Sequence, residues 1–594
     1  MTLSKNLLYR LWLHLTDKLR FRFKMLLILM LTTSMLEVIS IGAFIPFLGA
    51  LTNPSYVLAY SNLANFIKKM KIYDENDLIL LMTILFFSAV LISGFIRILF
   101  LRISNNIIFS AGAELSQKIY RQTLYQSYGE FCKKSSSEAI DSIANKANNI
   151  IYLSILPVVT IINTSILVLI FFLSILAFKP NLAITIVGGF LIIYFLISFF
   201  VKNKLKKNGE LLSISSTHLI KLIQEAYGGF RNITIDGLQE TYFDRYKKSD
   251  LILRNAQAEN LFLGTFPRVA VEVLGIILLT VTTYILTIRP GGIINALPLL
   301  GALALAAQRI LPLLQQGYNA WTNIRSGQTS LIGVLHLLDQ SSIDRSNINP
   351  DPIIFKKNIV LKNVTFNYEN EGKIVFNKIN LKISKGKQYG IIGETGAGKS
   401  TLVDLIMGLV EPVSGTLEVD NLVINDSNKK NWQARIAHVP QNIFLTDSSI
   451  IENIAFGVQN EKIDLEKVKK ICRIVELYKF IENLPKKYNS MVGERGILVS
   501  GGQRQRIGIA RALYKEADVI ILDEATNALD YLTEYKIINA IRKFDQNLTI
   551  LMISHKLYTL NNCNKILEVD LEGNVKLLNY EHLNNSKSLV NKLY

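Results

Sequence analysis

The chain has 594 residues, 50% of them hydrophobic, a formal net charge of +18 and a mean hydropathy of +0.29. That length exceeds what one hydrophobic core organises and suggests three or four domain-sized units, while so much apolar sequence argues against an ordinary soluble enzyme and for the bilayer. Three cysteines, Cys132, Cys472 and Cys563, lie scattered without metal-ligand spacing, which excludes a disulfide framework and fits reduced cytosolic thiols.

Residues 1–24 form a basic amphipathic arm, with Arg10, Lys18, Arg20, Arg22 and Lys24 interleaved among Leu11, Trp12, Leu15, Leu19 and Phe21, and are expected on the cytoplasmic membrane surface. The first long apolar run begins near Met25 and continues far past the length of a signal-peptide core, so no cleavable signal is expected. Six runs are long enough to span, at about 25–51, 78–101, 152–178, 182–201, 262–288 and 293–314. Short polar turns at Lys179-Pro180-Asn181 and Arg289-Pro290-Gly291-Gly292 suit the outer face, whereas the long connections 102–151 and 202–261 are rich in Lys and Arg and belong in the cytoplasm with both termini. These connections favour helix and are expected to prolong the spans beyond the membrane. Each reverses at an apolar tip, Tyr128 to Phe131 and Tyr227 to Phe230, and such a tip far from lipid needs a protein partner. The first external loop, from Pro54 to Lys71, reads equally as an interfacial helix or a packed loop helix.

The pattern changes at 336–351, a polar linker ending Pro350-Asp351-Pro352. Beyond it, β-rich runs at Val360–Tyr368, Ile374–Ile383, Gln388–Ile392, Ile436–Pro440, Val519–Leu522 and Thr549–Ser554 alternate with helical ones, as in an α/β domain. The expected division is therefore a membrane domain at 1–335, a linker at 336–351 and a nucleotide-binding domain at 352–594.

Gly393 to Thr401 reads GETGAGKST and fits G-x-x-x-x-G-K-[ST] between a strand and a helix, the context a P-loop requires. Gly393, Gly396 and Gly398, with Thr395 between them, let backbone N–H groups turn inward at the positive end of the helix. Lys399 is placed to reach the β and γ phosphates of ATP, and the Ser400 hydroxyl to ligate Mg2+. Downstream, Asp518-Val-Ile-Ile-Leu522-Asp523-Glu524 is an apolar strand ending in two acids. Asp523 suits the Mg2+ shell, and Glu524 suits the attacking water. Ser500-Gly501-Gly502-Gln503 opens a further helix and offers a second anion site.

Leu498-Val499-Ser500-Gly501-Gly502-Gln503-Arg504-Gln505-Arg506 resembles the signature motif of ATP-binding cassette (ABC) transporters. In that family the signature of one subunit closes over the P-loop ATP of another, so the resemblance implies a homodimer. The family's other motifs occur in order: Val439-Pro440-Gln441 resembles the Q-loop, with Gln441 a ligand of the metal; Gly493-Glu494-Arg495-Gly496 the exporter X-loop; Asn527-Ala528-Leu529-Asp530 the D-loop; and Ile553-Ser554-His555 the switch histidine. Tyr368 matches the aromatic that stacks on adenine, and Thr401 completes the phosphate site. Asn527 stands where serine is usual. The resemblance covers essentially the whole chain and implies an exporter half-transporter: six membrane helices in the type I exporter (type IV ABC) fold, fused to an α/β P-loop domain. Glu225-Ala-Tyr-Gly-Gly-Phe-Arg-Asn-Ile233 with Asp236-Gly237, and Gln308-Arg309-Ile310-Leu311-Pro312, further resemble flippases of lipid-linked oligosaccharides.

Ionisable residues inside spans are functional candidates. Arg97, Arg268 and Arg309 fall at similar depth, in the inner-leaflet half, at about 1.5 Å per residue. Even if Arg268 pairs with Glu272 four residues on, a positive cavity suited to a phosphate or pyrophosphate head group remains. Three function classes compete. An ATP-driven exporter or flippase of an anionic lipid or lipid-linked glycan fits best. A multidrug, lipid A or peptide exporter is the alternative, with an apolar cavity or an added peptidase domain expected for drugs or peptides. A soluble cassette ATPase acting on nucleic acid is excluded by the six spans. The expected setting is the inner, cytoplasmic membrane.

Overall fold

The computed structural model of the chain describes residues 2–52, 75–178, 180–287, 292–339, 351–368, 374–554, 556–561 and 563–579. They divide into two compact units, Met1–Gln126 with Cys132–Ile343, and Asp344–Tyr594 with Ser127–Phe131.

The first unit is helical. After a short arm helix, Thr2–Leu13, six long helical columns follow: Asp17–Gly42, Glu75–Tyr125, a third over 136–178, then Pro180–Gly228, Gln239–Thr287 and Gly292–Ser326. Among the described residues, four stretches, Asp17–Gly42, Asn76–Tyr125, Ser136–Ser174 and Gln239–Ile277, are long and apolar enough to cross a membrane. The Lys- and Arg-rich connections continue the spans as unbroken helix. Glu75–Tyr125 alone has 51 residues, about 75 Å at 1.5 Å per residue against a hydrocarbon core of about 30 Å. The first expected span is broken at Ala43 and resumes as Phe44–Thr52. Pro46 explains the break: it has no N–H to return to the preceding turn, and it sits in the first turn of the new helix, where that lack costs little. The expected external-loop helix lies outside the described residues.

The third column is not a regular α-helix. Ser142–Lys146 and Ile151–Ile155 are π-helical segments flanking Ala147–Ile150. Here the second and third columns nearly touch: a Cβ on Gly112 would fall 2.3 Å from Ile151 Cδ1, so a larger residue there requires the Ile151 side chain to shift.

The basic arm does not follow the expectation of lying on lipid. Leu7, Leu11, Leu15 and Leu19 are buried in one cluster with Ile107, Ile108, Ala111, Leu115 and Ile119, and with Leu331, Val334 and Leu335 of the helix Gln328–Leu338. At roughly 1.5–3 kcal/mol for each fully buried leucine, this holds the arm against protein. Polar latches reinforce it: Arg10 and His14 Nε2 (2.7 Å) both reach Asp339, and the Glu114 carboxylate accepts from Thr16 N at 2.9 Å and Thr16 Oγ1 at 2.8 Å.

The second unit holds two sheets. Strands β1 (Asn358–Asn367), β2 (Ile374–Ser384), β4 (Ser414–Val419) and β5 (Leu422–Val423) form an antiparallel sheet in the order β2-β1-β4-β5. The other sheet runs β10-β9-β3-β8-β7-β6, from β3 (Gln388–Gly393), β6 (Ile436–Val439), β7 (Val519–Asp523), β8 (Thr549–Ile553), β9 (Lys565–Val569) and β10 (Val575–Leu578). It is parallel from β9 to β6, with β10 antiparallel at the edge. Strands β7 and β8 are buried nearly throughout, as befits a parallel sheet covered on both faces and as their uninterrupted apolar sequence requires. All six β-rich runs expected from sequence are strands; β4, β5, β9 and β10 are additional.

Candidate nucleotide-binding site

The site forms where β3 and β7 lie on either side of β8 and end at the same edge of the sheet. From β3 the chain turns through the P-loop into the helix Lys399–Ile406. Gly398 has φ 99°, a left-handed conformation, and a Cβ there would lie 2.9 Å from Val375 Cγ1. Gly393 is excluded from substitution by proximity, since a Cβ would fall 2.3 Å from the Val569 carbonyl oxygen. The loop is folded around its own lysine: Lys399 Nζ donates to the carbonyls of Gly393 (2.8 Å) and Glu394 (3.1 Å). Burial lowers the Lys399 pKa, against the pull of Glu524 and Asp523.

Asp523 closes β7, and burial together with Glu524 raises its pKa against the opposing charge of Lys399. Asp404, not singled out from sequence, shares this environment: burial, then the Asp523 charge, push its pKa up to about 6. Its position, four residues after Ser400 and hence on the same helix face, is a signal that could have found it. Asp523 thus lies within electrostatic reach of two further carboxyl groups, Asp404 and Glu524, with the Lys399 ammonium as the opposing charge, a local excess of negative charge that a hard cation would relieve.

Glu524 has φ 49°, a conformation that costs a non-glycine residue about 1–3 kcal/mol and persists where surroundings enforce it. Its Oε2 accepts from Gln441 Nε2 at 2.7 Å and Asn527 Nδ2 at 2.8 Å, and its backbone N–H donates to the Ile553 carbonyl at 3.1 Å. Gln441, 83 residues away in sequence, is therefore brought to the acid, as is Asn527, the residue in the serine position. Buried Glu534, also missed from sequence, ties neighbouring segments together: it accepts from Thr526 Oγ1 (2.7 Å), Thr559 Oγ1 (2.9 Å) and Lys556 Nζ (3.4 Å).

Tyr368 presents an exposed ring braced edge-on by Phe366, with its hydroxyl 3.1 Å from Thr401 Oγ1. Thr401 is itself buried. The signature begins the helix Gly501–Tyr514 with a capping box: Gln503 N donates to Ser500 Oγ (3.2 Å), and Ser500 N donates to Gln503 Oε1 (2.8 Å). Among the described residues each of these two side chains thus accepts from the other residue's backbone N–H. Gln505 Oε1 accepts from Ala528 N at 2.9 Å, fastening the signature helix to the segment expected as a D-loop. Asp530 caps the helix Tyr531–Phe544 by accepting from Thr533 N at 3.1 Å. His555 lies outside the described residues.

In the helical unit the three arginines fare differently. Arg97 Nη1 donates to Glu37 Oε1 at 3.3 Å, which neutralises one of the three expected cations. Arg268 is exposed on the fifth column, and the Arg309 side chain lies outside the described residues.

Residues 22–290 match the family model of the ABC transporter transmembrane region, and residues 376–527 that of the ABC transporter ATPase. The chain is 27% identical over 511 residues to an ATP-dependent lipid A-core flippase of Wigglesworthia glossinidia brevipalpis, covering 84% of this chain and 85% of that one. It is 35% identical over 266 residues to the alpha-hemolysin translocation ATP-binding protein HlyB of Escherichia coli O157:H7, covering 45% of this chain and 37% of that one. Its fold is similar to that of a bacterial Atm1-family ABC exporter with ATP bound, at a TM-score of 0.80 and 19% identity over 97% of this chain and 99% of that one. With the transmembrane match on the helical unit, the ATPase match on the α/β unit and the exporter fold over nearly the whole length, the chain belongs to the ABC transporters and is an ATP-hydrolysing membrane transporter.

Proposed function

We propose that the chain is one half of a homodimeric, ATP-driven flippase that moves an anionic lipid or lipid-linked oligosaccharide across the inner membrane, with its ATP-binding domain and both termini in the cytoplasm. The observation that carries the reading is the similarity, over 84% of this chain, to a protein named as a lipid A-core flippase, joined to the flippase-like segments at Glu225–Gly237 and Gln308–Pro312. In this reading 1–335 forms the membrane domain, 336–351 the linker and 352–594 the ATPase.

The roles in this reading are those the motifs imply, with support from the local geometry where it is described. N–H groups of Gly393 to Thr401, with the Lys399 ammonium, hold the ATP phosphates, and Tyr368 stacks on adenine. Glu524, held by Gln441 and Asn527, accepts a proton from the attacking water and keeps it aimed at the γ-phosphate. The resemblance of Ile553-Ser554-His555 to the switch histidine assigns His555 to that phosphate. Ser400, Asp523 and Gln441 would hold Mg2+, which when bound supplies neutralisation of phosphate charge; the surplus of carboxylates there fits such an ion. Ser500, Gly501, Gly502, Gln503 and Asp530 serve the ATP of a second copy. Exposure of Ile497 (78%) and Leu498 (69%) beside the signature supports a covering partner.

The test is ATPase stimulation of the purified, liposome-reconstituted protein by a polyprenyl-pyrophosphate glycan, lipid A-core lipid and hydrophobic drugs. Stimulation by drugs alone would refute the lipid reading. For Arg268 and Arg309 as head-group ligands, the variant Arg268→Ala/Arg309→Ala is expected to keep basal ATPase and lose flipping; intact flipping of a pyrophosphate-linked lipid refutes that role.

A further inference from the structure

The helical unit contains a cavity of about 640 Å³ between its third, fourth, fifth and sixth columns, within the size of ligand sites. It lies at the ends of the apolar runs, where Asn149, Leu205, Leu261 and Asn319 each stand within a few turns of an expected span boundary. Its lining has an unusual chemistry. Seven carboxamide and six hydroxyl side chains face it, against two ionisable groups, Asp141 and Lys146.

Those two charges are already satisfied. Asp141 is fully buried, accepts from Ser216 Oγ at 2.7 Å, Thr217 Oγ1 at 2.7 Å and Asn145 Nδ2 at 2.9 Å, and lies 3.6 Å from Lys146 Nζ. Arg97 and Arg268 are not among the described residues that line the cavity. The chamber therefore offers neutral hydrogen-bonding groups and no surplus cation from its described lining.

Its shape is built rather than incidental. Asn145, Lys146 and Leu153 stand on the two π-helical segments of the third column, and such widened turns recur at functional sites. On the other side the columns are drawn together by glycines: a Cβ on Gly209 would fall 2.2 Å from the Ser326 carbonyl oxygen, and one on Gly264 3.2 Å from Asn319 Oδ1. Several amides are held in place. Asn208 Nδ2 donates to Asn260 Oδ1 at 3.0 Å, and Gln315 Nε2 to Asn319 Oδ1 at 3.0 Å. Orientation at fixed positions is what a recognition surface requires.

We propose that this chamber receives the uncharged, hydroxyl-rich part of the transported molecule, a neutral sugar head group, and not its phosphate. A sugar hydroxyl both donates and accepts, and a carboxamide does the same. A phosphate oxygen only accepts, so carboxamide oxygens oppose it and cations or backbone N–H groups serve it better. The inference rests on the glycolipid reading above and adds where along the protein the sugar is read and by which groups.

The experiment uses the full chain in nanodiscs and compares ATPase stimulation by polyprenyl pyrophosphate bearing a neutral oligosaccharide, by bare polyprenyl pyrophosphate and by lipid A-core lipid. The variant Asn149→Leu/Asn323→Leu removes two lining amides and keeps their approximate volume. Wild type is expected to respond to the glycosylated lipid at about tenfold lower concentration than to the bare one, equivalent to about 1.4 kcal/mol, and the variant to lose that preference with basal ATPase retained. Asn149→Gln/Asn323→Gln, which keeps the carboxamides, is expected to recover part of the preference and shows that polarity, not folding, was lost. A glycan preference unchanged in the leucine variant, or absent from a wild type that responds to the bare lipid, overturns the chamber while leaving the flippase reading intact. A wild type stimulated by none of the three lipids, but by a hydrophobic dye, overturns both.

Discussion

Replacing Glu524 by glutamine separates catalysis from architecture. The wild-type carboxylate places a single oxygen, Oε2, against two donors, Gln441 Nε2 at 2.7 Å and Asn527 Nδ2 at 2.8 Å. In Glu524→Gln the amide oxygen can occupy that position and keep both hydrogen bonds, weakened from charge-assisted to neutral by about 1 kcal/mol each. The amide nitrogen then stands where the second carboxylate oxygen was and cannot accept a proton. Shape, the left-handed backbone and the P-loop are untouched, so ATP affinity is expected to stay within about threefold. Loss of a positioned general base costs about 100- to 10,000-fold in rate. The assay is phosphate release by purified protein in lipid, paired with retention of labelled ATP and sizing of the complex. The variant is expected to accumulate as an ATP-bound dimer. Turnover within about threefold of wild type would falsify the assignment of Glu524 as the group that activates water.

Asn527→Ala removes one of the two donors on Glu524 at 2.8 Å and is expected to lower kcat about 2- to 10-fold with little change in KM; an equal loss on replacing it by serine, whose hydroxyl can donate, would point to a different role. Gly398→Ala forces a Cβ into a left-handed backbone 2.9 Å from Val375, so thermal unfolding should show about 1–3 kcal/mol of destabilisation and ATP binding should be lost. Wild-type melting in that variant would mean that the loop reshapes easily. Phe230→Asp changes a ring that is 68% exposed and should alter stability by no more than about 0.5 kcal/mol. Basal ATPase is expected to survive it while substrate stimulation disappears, and preserved stimulation would show the tip to be an idle loop.

Local features are written in short stretches of the chain. The P-loop was legible because its glycines, lysine and serine lie within nine consecutive residues whose conformations depend on near neighbours. Strands β3, β7 and β8 were legible because a strand buried on both faces must be apolar throughout, and the long helices because a span needs an uninterrupted apolar run. Meetings across distance are set by the folded chain alone. An apolar stripe such as Leu7, Leu11 and Leu15 satisfies lipid and protein equally, and only the groove offered by Leu115, Ile119 and Leu335 settles which it meets. Arg97 read as a free cation until the first and second columns placed Glu37 beside it, 60 residues away. Gln441 reaches Glu524 because β6 lies beside β7 in the sheet, an order set by the packing of whole strands and written in no short motif. The amide-lined chamber likewise needs four columns at once, since each contributes only a few polar residues that, read along its own helix, look like an ordinary solvated face.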